Sequence, residues 1–324
     1  MIERQIKDLL KLQKKNILKC KILCIGDIIL DHYIYGEVNR ISPEAPIPIL
    51  LFKKELYQLG GVGNVSKNLS SMGCKNSLLY LSSKDDSSDI INKLISKEKN
   101  IKKIEIKIPK FKIPVKTRYI NKTSQIVRVD KEDIRFKVNN RYKKIILNKL
   151  ELEIKKHDLI ILSDYNKGLL DKSLIQDIVK IAKKFSKKII ADPKKTDLSA
   201  YKNIDLITPN QKEITDAAKK KYLSEKELIS FGKKLINRYE IRDILITRSE
   251  KGMLLISHDN VEKISANAKK VIDVTGAGDT VISTLSLMLA IGISKKDSVE
   301  ISNYLAGLVI GKIGTASIDF KRLV

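Results

Sequence analysis

The chain of 324 residues has no tryptophan and only three cysteines and three histidines. Cys20, Cys24 and Cys74 have no histidine beside them and no paired CxxC spacing, which excludes a disulfide-stapled secreted module and a structural zinc site. Reduced thiols in a cytoplasmic protein are the expectation. Fifteen glycines and seven prolines are too few for a collagen or a low-complexity chain. No apolar run approaches the ~20 residues of a membrane span, so no membrane association is expected. Residues 1–20 alternate charges with aliphatics, and Glu3 and Asp8 argue against a transit peptide, so a short N-terminal helix is expected there.

Acidic residues are also scarce, 38 against 63 basic ones, for a net charge of +25. Counterion release rewards dense cations on one face, yet the lysines run from Lys7 to Lys321 and form no basic stripe interleaved with aromatics. The run Lys219, Lys220, Lys221 reads as a solvated face, and no nucleic-acid partner is expected.

Apolar residues make up 43% of the chain, enough for a sizeable core. Short β-branched runs at Ile22–Ile25, Leu159–Ser163, Lys188–Asp192, Leu206–Thr208 and Ile244–Thr247 are separated by stretches of helical spacing. This alternation predicts an α/β fold, a mainly parallel central sheet flanked by helices. Lys172–Phe185 sets Leu174, Ile175, Ile178, Val179 and Ile181 on one face, as a crossover helix needs. Ser224 with Glu227 predicts a capping box. Two regions break the rhythm: Tyr33–Phe52, with Pro43, Pro46 and Pro48, and the alternating Ile113–Val129. They predict lid strands from about 32–54 and 111–130, a small β-sheet over the carboxyl edge of the main one within a single domain of residues 21–324.

The chemistry concentrates in Asp273-Val274-Thr275-Gly276-Ala277-Gly278-Asp279-Thr280, ahead of an apolar segment that reads as a buried helix. Gly276, Ala277 and Gly278 let backbone N–H groups approach an anion at the helix start, where the helix dipole favours phosphate. A carboxylate at Asp279 would repel phosphate unless it accepts the proton of an attacking hydroxyl, the general-base role in phosphoryl transfer. No Walker loop and no dinucleotide fingerprint competes.

At this octapeptide the sequence resembles the ribokinase-like (PfkB) sugar kinases, and the resemblance runs over roughly residues 20 to 318. Gly26-Asp27 with Asp31, the run Arg40 to Pro46, Gly60 to Val65, Ser163 to Gly168, Asp192-Pro193-Lys194, Thr208 to Glu213 and Thr247 to Met253 follow in the family's order. The run Arg-Ile-Ser-Pro-Glu-Ala-Pro is similar to one branch, the D-glycero-β-D-manno-heptose 7-phosphate kinases.

The resemblance implies ATP-dependent phosphorylation of the heptose C1 hydroxyl, on the route to ADP-heptose for lipopolysaccharide core. It implies Asp279 as the base, with Gly276, Ala277 and Gly278 as the anion hole. Asn210, Gln211, Lys212, Glu213, Thr247, Ser249, Gly252 and Lys194 are implied on the nucleotide side, with Glu213 meeting Mg²⁺ through water. Asp31, Gly60, Gly61 and Asn64 are implied for the sugar, and Arg40, Arg128, Lys167 and Lys194 are the cations available for its phosphate. A monovalent cation near Asp273 and Thr275 and a homodimer through the β-lid are also implied.

Some positions depart from the branch. Val62 and Gly63 stand where it usually has two alanines, Ser124-Gln125 where it shows two amides, and Leu81–Ser88 lacks its glycine. No HxGH motif follows Asp279, so the expectation is a kinase without an adenylyltransferase. A kinase for another sugar and a catalytically silent sugar-phosphate sensor are the open alternatives.

Overall fold

A computed structural model describes residues 2–133, 136–266, 274–311, 318 and 320. The chain opens with helix α1 (Ile2–Lys19) and strand β1 (Lys21–Gly26), then leaves the main layer in two long strands, β2 (Ile28–Ile41) and β3 (Pro48–Gly61). It returns through helix α2 (Val62–Ser71), β4 (Lys75–Ser82), α3 (Asp86–Ser96) and β5 (Ile101–Lys107), and leaves again in β6 (Val115–Asn121) and β7 (Ser124–Lys131). Then come α4 (Asn140–Ile154), β8 (Leu159–Ser163), α5 (Lys172–Lys184), β9 (Lys188–Asp192), β10 (Leu206–Ile207), α6 (Gln211–Ala217) and α7 (Glu225–Tyr239). Strands β11 (Asp243–Thr247), β12 (Met253–Ser257) and β13 (Val261–Ile264) precede α8 (Ala277–Ala290) and α9 (Lys295–Val309).

The main sheet has the order β13-β12-β11-β10-β9-β8-β1-β4-β5, parallel from β11 to β5 with β12 and β13 antiparallel at one edge. Strands β1, β4 and β8 are buried almost throughout, which is why β1 and β8 read as apolar runs rather than alternations. β1 has β4 on one side and β8 on the other, so the chain reverses direction across the sheet at this point and a crevice opens at the carboxyl ends of β1 and β8.

The second sheet has the order β3-β2-β6-β7, with β2 and β6 parallel. Its strands differ from the sequence expectation: β2 starts at Ile28 and β3 continues to Gly61, so the pair runs straight out of β1 and into α2. Pro43 and Pro46 sit in the turn between them and Pro48 is the first residue of β3, positions where a missing N–H costs no ladder bond. Residues 113–129 form a hairpin, not one strand. In α5 the core face takes Ala182, while Ile181 is only partly buried.

Helix α1 docks on the core through Ile6, Leu10 and Ile17, which its spacing of about one or two turns sets on one face. Leu10 is fully buried. Leu10→Ala is expected to lower stability by about 2–5 kcal/mol, read as a lower urea midpoint at an unchanged slope; a midpoint indistinguishable from wild type would show that α1 contributes nothing to the cooperative unit.

Candidate active site

The glycine-rich bend ends in Gly276, whose φ of 80° is the left-handed conformation that glycine adopts without strain. Its carbonyl accepts both the N–H and the hydroxyl of Thr280, at 3.0 Å each, and this fixes the first turn of α8. Ala277 N–H closes the bend on Val274 O at 3.2 Å. Among the described residues nothing lies within 4 Å of where a Gly278 side chain would stand. From Asp279 to Met288 the helix is buried.

Asp279 therefore carries a carboxyl into the protein interior. Asn64 Nδ2 donates to its Oδ2 and Tyr165 Oη to its Oδ1, both at 2.7 Å. Burial pushes its pKa up to about 6, against the lowering effect of those two hydrogen bonds; Asp192 raises it further and Lys194 lowers it.

Both donors are set by Asp27, at the carboxyl end of β1. The Asp27 carbonyl accepts Val62 N–H at 3.0 Å, where α2 begins two residues before Asn64. Its carboxylate accepts the backbone N–H groups of Tyr165, Lys167 and Leu169 at 3.0, 2.9 and 3.1 Å, shaping the loop after β8. Burial and the neighbouring Asp164 raise Asp27 to about 6. Sequence reading took Asp27 only as part of a family signature and gave Tyr165 no role. Contacts spanning 114 and 138 residues leave no local signal.

A cavity of about 740 Å³ opens on Asp279. Gly276, Ala277, Gly278, Lys194, Asn210, Thr247, Ser249 and Gly252 line it, and Met253, Val281, Ala306 and Ile310 give it an apolar wall. Asn210 and Glu213 form a reciprocal capping box at the start of α6, with Glu213 Oε2 taking Asn210 N–H at 2.7 Å. Glu213 Oε1 pairs with Lys194 at 2.9 Å, and Lys194 also reaches Asp192 at 3.0 Å. Burial works to lower the Lys194 pKa, but the two carboxylates outweigh it and the net shift is upward. Gly252 has φ +72°, and a methyl there would strike the Ile264 carbonyl, so the wall admits only glycine. Gln211 and Lys212 line an adjoining shallow recess instead, with Lys212 held by Asp216 at 2.7 Å. Arg248, which the sequence marks only as part of the run Thr247 to Met253, buttresses the wall by pairing with Glu225 at 2.7 Å.

On the lid side, Asp31 of β2 is buried and held by Arg118 of β6 at 2.6 Å, a partner with no sequence signal. Gly60 lies against Asp31 so closely that a methyl would strike its Oδ2. Gly61, at φ +57°, turns the chain from β3 into α2, and Asn64 spends its amide on Asp279. Of the cations expected for the sugar's phosphate, Arg128 and Lys167 both act electrostatically on Lys116, and Arg128 also on Asp31. Arg128 grips Asp130 through two nitrogens, Lys167 pairs with Glu132 at 2.8 Å, and Arg40 is exposed near the outer end of β2. Lys116, also on β6, approaches the Tyr165 ring to 5.9 Å without having been anticipated. Asp273 lies outside the described residues.

The pattern of the pfkB family carbohydrate kinases matches residues 19–321. The chain belongs to the pfkB family of carbohydrate kinases. It is 38% identical over 306 residues to the Bifunctional protein HldE of Haemophilus influenzae, covering 94% of this chain and 63% of that protein. For the protein of the same name from Paramagnetospirillum magneticum the identity is 35% over 296 residues, covering 91% and 60%. The chain thus spans about three fifths of the length of these curated relatives. Among solved structures, phosphofructokinase-2 from Escherichia coli in complex with fructose-6-phosphate superposes with a TM-score of 0.75 at 17% identity, covering 94% of this chain and 98% of that one. Arabidopsis thaliana ribokinase complexed with ribose and ATP gives 0.71 at 15%, covering 94% and 98%. The fold is ribokinase-like.

In this pfkB kinase, keeping Asp279 ionised at neutral pH has a cost. Its folded pKa of about 6 stands above the ordinary 3.8, so the native state binds the proton more tightly and stability falls as pH rises through that window. The full penalty, about 3 kcal/mol, applies near pH 7.5 and is absent below about pH 4. Asp279→Asn is accordingly expected to be more stable than wild type at pH 7.5 by up to that amount, with the advantage vanishing by pH 4. Urea denaturation at the two pH values measures it; a variant less stable at pH 7.5 would contradict the assigned burial cost.

Proposed function

We propose that the protein transfers the γ-phosphoryl group of ATP to the C1 hydroxyl of D-glycero-β-D-manno-heptose 7-phosphate, giving the 1,7-bisphosphate for ADP-heptose synthesis. The observation that carries the reading is Asp279. It is a buried carboxyl at the first turn of α8, its proton affinity raised towards neutrality, facing a cavity bounded by a glycine bend. The heptose choice leans on the run Arg40 to Pro46 and on the identity with the HldE proteins.

In the proposed reaction Asp279 takes the proton of the sugar hydroxyl as its oxygen bonds to the γ-phosphorus, and the bond from that phosphorus to the β,γ-bridging oxygen breaks, releasing ADP. A carboxyl near pKa 6 is ionised at physiological pH yet basic enough to help. The bend at Gly276–Gly278 faces the transferring group with backbone dipoles, and Lys194 adds a positive charge beside it. The apolar wall of Met253, Val281, Ala306 and Ile310 suits a nucleotide base.

Among the described residues no three His, Cys, Asp or Glu side chains gather as a metal cage, and both Glu213 oxygens are engaged. This donor set suits Mg²⁺ carried by the nucleotide phosphates and touched by Glu213 through water. The ion would neutralise charge on the leaving phosphate. For the sugar, Asp31 stands ready for hydroxyls with Arg118 fixing its orientation. Arg128 and Lys167 would meet the 7-phosphate by exchanging Asp130 and Glu132 for it.

The lid supports a homodimer. Leu51, Phe52 and Leu56 of β3 and Ile126, Val127 and Val129 of β7 are all exposed, at the two edges of the second sheet. Exposed apolar side chains on unpaired edge strands are the kind of surface that a second copy covers. No helix among the described residues is long and apolar enough to cross a membrane.

ADP release with Mg-ATP and heptose 7-phosphate, set beside fructose 6-phosphate, ribose and no sugar, tests the reading. Heptose-dependent turnover that falls by about 10²–10⁴-fold in Asp279→Asn, with nucleotide affinity retained, is the expected result. Preference for ribose would discard the substrate, and silence with every sugar would favour a sensor. For the dimer, light scattering at micromolar concentration should give twice the chain mass, and Phe52→Glu should return it to one; a wild-type monomer would sink that part.

A further inference from the structure

We propose that Tyr165 is the positioning residue of the transfer, holding the Asp279 carboxyl in the orientation that receives the substrate proton. The inference rests on Asp279 being the base. Three observations converge on this side chain. Its Oη donates to Asp279 Oδ1 at 2.7 Å while Asn64 occupies Oδ2, so the carboxyl plane is fixed from both ends. Its backbone N–H is clamped by Asp27 Oδ2 at 3.0 Å, which anchors the residue at the carboxyl end of β1. Its ring is approached by two ammonium groups, Lys194 at 5.5 Å from the nucleotide side and Lys116 at 5.9 Å from lid strand β6. The tyrosine thus stands where the lid, the nucleotide side and the base meet.

The phenol is a permanent donor. Burial, with the negative charges of Asp279, Asp192 and Asp31, holds its pKa well above the usual tyrosine value, so it does not compete with Asp279 for the proton. A neutral donor on a carboxylate stabilises the ionised form. The other groups acting on Asp279 are Asn64 and Lys194, which favour ionisation, and Asp192, which opposes it. Removing the Tyr165 hydroxyl takes away one of the favourable contributions and leaves the rest in place. Tyr165→Phe keeps the ring among its lysines and the backbone on Asp27, so the change is confined to one oxygen.

The experiment is a ¹³C-carboxyl NMR titration of the full chain without substrate, in wild type and Tyr165→Phe, with Asp279→Asn to assign the resonance. The Asp279 midpoint is expected to rise by about one pH unit in Tyr165→Phe. The acidic limb of kcat is expected to move up by the same amount, with KM for ATP unchanged. A residue that merely packs would leave both untouched, so an unshifted midpoint overturns the proposal even if turnover drops. The two readings fail separately: an inactive Asp279→Asn beside an unshifted Tyr165→Phe retains the base and removes Tyr165, whereas an active Asp279→Asn removes both.

Discussion

The arrangement turns on one carboxyl held inside the protein by two neutral donors. Asn64 and Tyr165 reach Asp279 from the start of α2 and from the loop after β8, segments about a hundred residues apart. They meet because Asp27, which follows the strand between β4 and β8, accepts Val62 N–H at the start of α2 with its carbonyl and Tyr165 N–H with its carboxylate. Strand order brings these pieces to one crevice, since β1 is where the chain changes direction across the sheet. The core around β1, β4, β8 and α8 therefore fixes two side-chain donors around a charge that would be cheaper in water.

What the sequence disclosed and what it hid follow from range. The glycine bend, Asp279 and the Asn210–Glu213 pair are contiguous, and their chemistry follows from local rules about helix starts. Gly60 and Gly61 were legible as a turn, but their reasons are tertiary: one makes room for Asp31, the other for the Asp27 carbonyl. Arg118, Lys116 and Tyr165 lay in segments read only as strand or signature, because an arginine 87 residues from its carboxylate looks like any other exposed cation. The strands β4, β5, β12 and β13 escaped the sequence pattern, while β10 proved only two residues long.

The abundant lysines show the same limit from the other side. Lys167, Lys194 and Lys195 are partnered with Glu132, Glu213 and Asp164, whereas Lys212 and Lys220 make surface pairs of little energetic weight. A composition count treats all five alike. Only their burial distinguishes the three that shape the crevice, and burial depends on which strand end each one follows. The lid adds a second distinction. Its edge strands carry Phe52 and Val129 outward beside charged neighbours, so period-two patterning alone gave the sheet but not which face lacks a covering layer.

Four carboxyls in and around the crevice have their proton affinity raised, chiefly by burial: Asp27, Asp31, Glu213 and Asp279. Their partners separate them. Asp27 is bound by three backbone N–H groups, so protonating it would loosen the loop that bears Tyr165. Asp31 is locked to Arg118 and Glu213 to Lys194, and a proton on either would break a buried ion pair. Among the described residues Asp279 is hydrogen-bonded only by an amide and a phenol, which tolerate either charge state, and it alone of the four lines the cavity. Of these carboxyls it is therefore the one that can take and release a proton without dismantling the fold around it. That difference in partners, rather than the size of any shift, is the physical argument for its role.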